Sequence, residues 1–92
     1  MLDVVSISGQ VRGTDGRPAW NATVVVSPVG GSGKVRFGLA DEDGQFQVDG
    51  IVPGVYQVRV NQRQYRIYSF AMEIMQDETG LLIELEPDPY AR

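Results

Sequence analysis

The chain contains neither cysteine nor histidine. Without cysteine there is no disulfide, no thiolate metal site and no thiol nucleophile. Without histidine the commonest general base and the commonest metal ligand are both missing, so no Ser-His or Cys-His pair can be built. Basic residues are few: 8 lysines and arginines stand against 12 acids, for a net charge of −4. A phosphate grip on nucleic acid needs a clustered basic surface, and so does an anionic membrane surface, so neither is expected as a partner. No apolar run approaches the ~20 residues of a membrane-spanning helix. The opening MLDVVSISG lacks the basic start and apolar run of an export signal. The expectation is a soluble chain without membrane insertion, its compartment unassigned.

What remains is ordinary globular material. Of 92 residues, 42% are hydrophobic and 22% charged, enough for one small domain with a two-layer core. The apolar residues recur at every second position. The clearest case is Leu39 to Val60, where Phe46 and Val48 alternate with glutamines and an aspartate, and Tyr56, Val58 and Val60 with Gln57, Arg59 and Asn61. A period of two gives each strand one buried and one wet face. Turns launch both strands, Asp43-Gly44 before the first and Pro53-Gly54 before the second. Ile51 plugs the core between them.

The same reading places a strand over residues 4–12 with Val5, Ile7, Gly9 and Val11 on one side. A second covers 21–27 with Ala22, Val24 and Val26 inward. The third, Lys34 to Leu39, sets Val35, Phe37 and Leu39 against Lys34, Arg36 and Gly38. A sixth runs from about Tyr65 to Met75 with Tyr68, Phe70, Met72 and Ile74 on one face, and a seventh over 81–86 with Leu81, Ile83 and Leu85 on one face. QDETG, residues 76–80, turns the chain between these two. Seven short strands with turn signals at every break predict an all-β, seven-stranded, Greek-key-type β-sandwich. A single domain spans 1–86, and 87–92 is an extended tail whose prolines deny ladder donors.

Several of these marks resemble one family. They are Gly9 and Val11, Gly16 and Pro18, Ala22 and Val24, then Asp43-Gly44-Gln45-Phe46 and Gly50-Ile51-Val52-Pro53-Gly54-Val55-Tyr56. Together they look like a carboxypeptidase regulatory-like domain, the transthyretin-like (prealbumin-like), Ig-like sandwich found beside metallocarboxypeptidase catalytic domains. Similar modules occur in outer-membrane receptor plugs and surface adhesins. The resemblance implies an accessory module, often extracytoplasmic, used as folding aid, spacer or docking surface, with no cofactor. Some transthyretin-like proteins hydrolyse a purine-degradation intermediate, but those depend on histidines that this chain lacks.

Few constellations could carry chemistry. Asp41-Glu42-Asp43-Gly44 looks like half a calcium loop, which makes Asp41 and Asp43 weak metal candidates. Calcium wants six to eight oxygens, and the bidentate glutamate of an EF-hand loop would fall at Val52, so a structural turn is favoured. Trp20, Tyr65 and Tyr68 could form an aromatic platform for a carbohydrate; alternatively Trp20 covers the end of the sandwich and Tyr68 lies in the core. In the tail, Tyr90 offers an exposed anchor and Arg92 a terminal charge for a neighbouring subunit.

The function expected is therefore non-enzymatic: a structural or protein–protein interaction module, with a protein partner or self-association. Val25, Val55, Ile67, Met75 and Leu82 fall on outward faces, more apolar surface than a solitary monomer usually shows. A small assembly protein, such as a decoration or tail component of a virus particle, fits a chain that opens on methionine without an export signal. The alternative is a carbohydrate- or other ligand-binding module of an extracytoplasmic protein.

Overall fold

The computed structural model describes residues 4–30 and 34–90. Seven strands form in chain order: β1 (Val5–Gly13), β2 (Thr23–Pro28), β3 (Arg36–Leu39), β4 (Gln45–Ile51), β5 (Gly54–Asn61), β6 (Tyr68–Ile74) and β7 (Glu78–Leu85). They make two sheets, one ordered β4-β1-β7 and the other β3-β2-β5-β6. Only β2–β3 and β5–β6 are neighbours both in sequence and in a sheet, so the chain passes from one sheet to the other at the four remaining connections. This is the all-β sandwich that the alternating pattern requires.

Period-two burial holds along the central strands. Ile7 and Val11 of β1, Val24 and Val26 of β2, Phe46 and Val48 of β4, and Tyr56, Val58 and Val60 of β5 meet between the sheets, with Ile74, Ile83 and Leu85 from β6 and β7. Burying each such side chain contributes roughly 1.5–3 kcal/mol relative to solvent. β1 is the pivot, antiparallel to β4 and parallel to β7. Its register shifts once against each, where Val5 and Ile7 pair with Ile51 and Val48, and where Ile7 and Gly9 pair with Glu78 and Leu81. In both cases two residues of β1 face three of the neighbour, which marks a β-bulge. The QDETG segment therefore belongs mostly to β7, which starts at Glu78 and carries its bulge at Gly80.

The two long sides of the sandwich are built differently. On one side β3 lies against β4. Gly38 pairs with Val24 and faces inward, and a Cβ on it would stand 2.3 Å from the Gln47 carbonyl oxygen. Arg36 closes the same corner by donating Nε to the Gly50 carbonyl at 3.2 Å. On the other side β6 and β7 are consecutive strands that sit in different sheets, each at an edge. The amide of Arg66 donates to the Glu86 carbonyl at 2.8 Å and that of Asp88 to Gln64 at 3.0 Å, so the strands meet at one end. No ladder joins them in between among the described residues.

One strand orientation differs from expectation. The apolar side of β3 points away from the core: Val35, Phe37 and Leu39 are 59%, 68% and 56% exposed. The reason is the tight β3–β4 corner. Only a residue without a side chain fits inside at position 38, so the alternation is fixed by Gly38 and the larger residues turn outward.

Candidate interaction surfaces

Three surfaces stand out. The first is the outer face of the four-stranded sheet at β2 and β3. Phe37 lies directly opposite Val25, and Leu39 opposite Thr23, so Val25, Phe37 and Leu39 form an outward-facing apolar stripe, with Val35 exposed just before the strand. Val55 of β5 adds exposed apolar area on the same sheet face, opposite Glu73. β3 is also an edge strand, so both its side chains and its backbone edge are presented.

The second surface is the gap between β6 and β7. Tyr68, Phe70, Leu81, Leu82, Ile83 and Glu84 line a cleft of about 320 Å³. Burial along β6 falls from Ile74, fully enclosed, through half-buried Met72 and Phe70 to Tyr68, 46% exposed. β6 therefore leaves the core progressively as it runs back toward Tyr68. The Tyr68 and Phe70 rings lie 5.4 Å apart at a 36° tilt, a favourable aromatic pair. Tyr68 is thus on the inward face, as its parity demands, but at the mouth of the cleft rather than in the closed core.

The third surrounds Trp20, which is 62% exposed in the turn between β1 and β2. It shares a shallow depression with Asn21, Gln62, Arg63 and Gln64. The Gln62 amide donates to the Trp20 carbonyl at 3.2 Å, and the Asn21 amide to Ala40 at 3.0 Å, fixing this turn to its neighbours. Asn21 takes a left-handed φ of 67°, a conformation asparagine tolerates better than most residues.

The remaining sequence candidates fall elsewhere. Tyr65 is buried, leaving 8% of its surface, and donates its hydroxyl to Asp15 Oδ1 at 3.3 Å. Burial, and then the adjacent Asp15 carboxylate, push its phenol above the ordinary tyrosine value. The same Asp15 oxygen accepts the Arg17 amide, so Tyr65 locks the β1–β2 turn and is not part of an exposed platform. Asp41 uses Oδ1 to accept the amides of Asp43 and Gln45, each at 2.9 Å. That is an Asx turn leading into β4, while the Asp43 carbonyl accepts the Gln10 amide. No group of three or more acidic side chains poised for a metal occurs among the described residues. In the tail, Pro87 bridges to Tyr65 and Tyr90 is 87% exposed beyond it. Arg92 lies outside the described residues. The sequence reading missed the β6–β7 cleft, because strand parity says which side a residue faces and not whether the facing edge is closed.

Among the described residues no helix is long and apolar enough to cross a membrane. No curated protein matches the chain in sequence. Solved structures match its fold. A DUF3823 family protein from Parabacteroides merdae superposes with a TM-score of 0.71 at 13% identity, covering 95% of this chain and 48% of that one. Chlorocatechol 1,2-dioxygenase from Pseudomonas putida gives 0.72 at 11% identity, covering 92% and 61%. A type II cohesin–X-dockerin complex from Acetivibrio cellulolyticus contributes a chain at 0.66 and 17% identity, covering 90% and 58%. This chain thus spans about half to three-fifths of the length of those proteins. At such identities the likeness is one of fold, and a dioxygenase and a chain of a cohesin–X-dockerin complex share it. The sequence pattern of one family matches almost the whole sandwich, residues 6–86, and the chain belongs to that family, the carboxypeptidase regulatory-like domains.

Proposed function

We propose that this domain is a non-catalytic structural module that docks on another protein chain. The observation that carries this is the outward apolar stripe of β2 and β3: an edge strand with Phe37 68% exposed and two more aliphatic residues beside it. A core-facing placement would be the cheap way to use those side chains, and the Gly38 corner instead holds them in water, where they are favourable only if something covers them. The chain has no histidine or cysteine from which to build a nucleophile–base pair. The match to a chain of a cohesin–X-dockerin complex supports the use of this sandwich within protein assemblies. A decoration or tail component of a virus particle is one such setting that a small acidic sandwich would suit.

The test is mass in solution. Sedimentation at micromolar concentration is expected to show a dimer or higher species, or a stable complex purified from the native source. Phe37→Lys should shift either toward the monomer. A protein that is monomeric throughout and retains no partner would end this reading.

A second reading rests on Trp20. An indole 62% exposed beside Gln62, Arg63 and Gln64 offers a stacking face with amide and guanidinium hydrogen-bonding groups nearby, the combination a carbohydrate ligand requires. Tyr65 is buried and contributes nothing to it. Glycan-array binding that disappears in Trp20→Ala, with the fold intact, would favour this reading; silence toward every sugar would remove it.

A further inference from the structure

We propose that the gap between β6 and β7 accepts an extended, basic segment of a different protein as an added strand. The inference rests on the protein-docking reading above and assigns it a second site and a partner chemistry. The first ground is topology. Among the described residues β6 is hydrogen-bonded in a ladder only to β5, and β7 only to β1, so each keeps one edge open there. The two strands are joined by a short turn at one end and by the Arg66–Glu86 and Gln64–Asp88 backbone bonds at the other. Between these points they stand apart over an apolar cleft lined by Phe70, Leu81 and Ile83, with Tyr68 at its mouth. An unpaired strand edge with pockets for alternate side chains is the geometry of strand addition.

The second ground is charge. From Arg66 to Glu86 one arginine stands against five carboxylates, Glu73, Asp77, Glu78, Glu84 and Glu86, so this hairpin carries a net −4, equal to that of the entire chain. Glu84, which lines the cleft, is held by Arg12 at 3.3 Å, and Asp77 accepts the Ser6 amide at 2.9 Å, so Glu73, Glu78 and Glu86 are left to make the rim of these two strands acidic. Lysine or arginine at the outward positions of an incoming strand would meet that rim, while its alternate residues entered the cleft. The same charge disfavours a second copy: pairing β6 or β7 with its own counterpart would set two acidic hairpins edge to edge. The occupant is therefore a foreign segment, extended, apolar at every second position and basic between.

A phage-displayed library of random twelve-residue peptides, panned on the intact chain, tests this. Expected are enriched peptides alternating apolar residues with lysine or arginine, whose synthetic forms perturb backbone amide resonances in residues 68–74 and 81–85. Glu73→Lys/Glu86→Lys should weaken them by about five-fold or more, since close charge pairs across an interface govern such affinities. Tyr68→Ala should weaken them too, while Trp20→Ala leaves them unchanged; thermal melts confirm that each variant is folded. Peptides that are acidic or proline-rich, or that bind the double variant equally well, overturn the inference. Peptides that map to Val25 and Phe37 overturn it but leave the docking reading standing. Failure to enrich any peptide, in a protein that also stays monomeric and retains no partner, removes both.

Discussion

At Gly38 the backbone of β3 comes so near β4 that a methyl group would lie 2.3 Å from the Gln47 carbonyl oxygen. That oxygen belongs to the main chain of a paired strand and cannot swing away. Gly38→Ala is therefore expected to cost about 2 kcal/mol or more, the range of overpacking that forces backbone movement, measured as a lowered urea midpoint. Tyr65 also joins distant parts of the chain. Tyr65→Phe deletes the hydrogen bond to Asp15 and should cost about 1 kcal/mol. It also carries a pH signature. The folded phenol titrates above its ordinary value, first because it is buried and then because Asp15 is close. A raised folded pKa means that the contribution is fully present below the unfolded value of 10.0 and is lost as pH climbs through the folded one. Urea midpoints between pH 9 and pH 11.5 should thus fall more steeply for the wild type than for Tyr65→Phe, and equal slopes would refute the assignment.

β3 shows what an element's sequence does and does not disclose. In β1, β2, β4 and β5 the parity of the apolar residues named the buried face correctly, because those strands bury that side against the core. In β3 the identical pattern points outward. Alternation specifies two faces, and which one is inside was decided by backbone proximity at Gly38, a three-dimensional fact with no local signature. The acidic turn was legible for the opposite reason: an aspartate two residues before Asp43-Gly44 can satisfy the turn's amides by itself, and Asp41 does so. Trp20 is 62% exposed, whereas Tyr65, named with it as a possible platform, is drawn under by an aspartate fifty residues away in sequence. For β3 the outward stripe leads to a direct expectation. Phe37→Ser should change monomer stability by no more than about 0.5 kcal/mol, as surface substitutions do, yet reduce association measured by sedimentation. A large loss of stability would mean that Phe37 packs inside.

Taken whole, the molecule is a two-sheet sandwich, tightly packed along one long side and open along the other. The closed side has glycine pressed on backbone and Arg36 bridging to Gly50. The open side has aromatic rings at its mouth and, between its two ends, no ladder between β6 and β7 among the described residues. Both sides are formed by consecutive strands that lie in different sheets, so connectivity alone does not explain the difference. Gly38 lets β3 close on β4, while Tyr68 and Phe70 line the cleft between β6 and β7. Local opening should follow the same asymmetry, because amides at the edge of a poorly covered strand are released with less disruption of the core. In native-state hydrogen exchange the amides of Val24, Val26, Val58 and Val60, on paired strands with enclosed side chains, are expected to be the slowest. Those of Tyr68 to Phe70 should exchange by a lower-energy route, sensitive to little denaturant. An added strand in the cleft would slow that second group and leave the first unchanged. Uniform protection across β6 and β2 in the free protein would show that the side described as open is in fact closed, and the cleft would lose its claim to a partner.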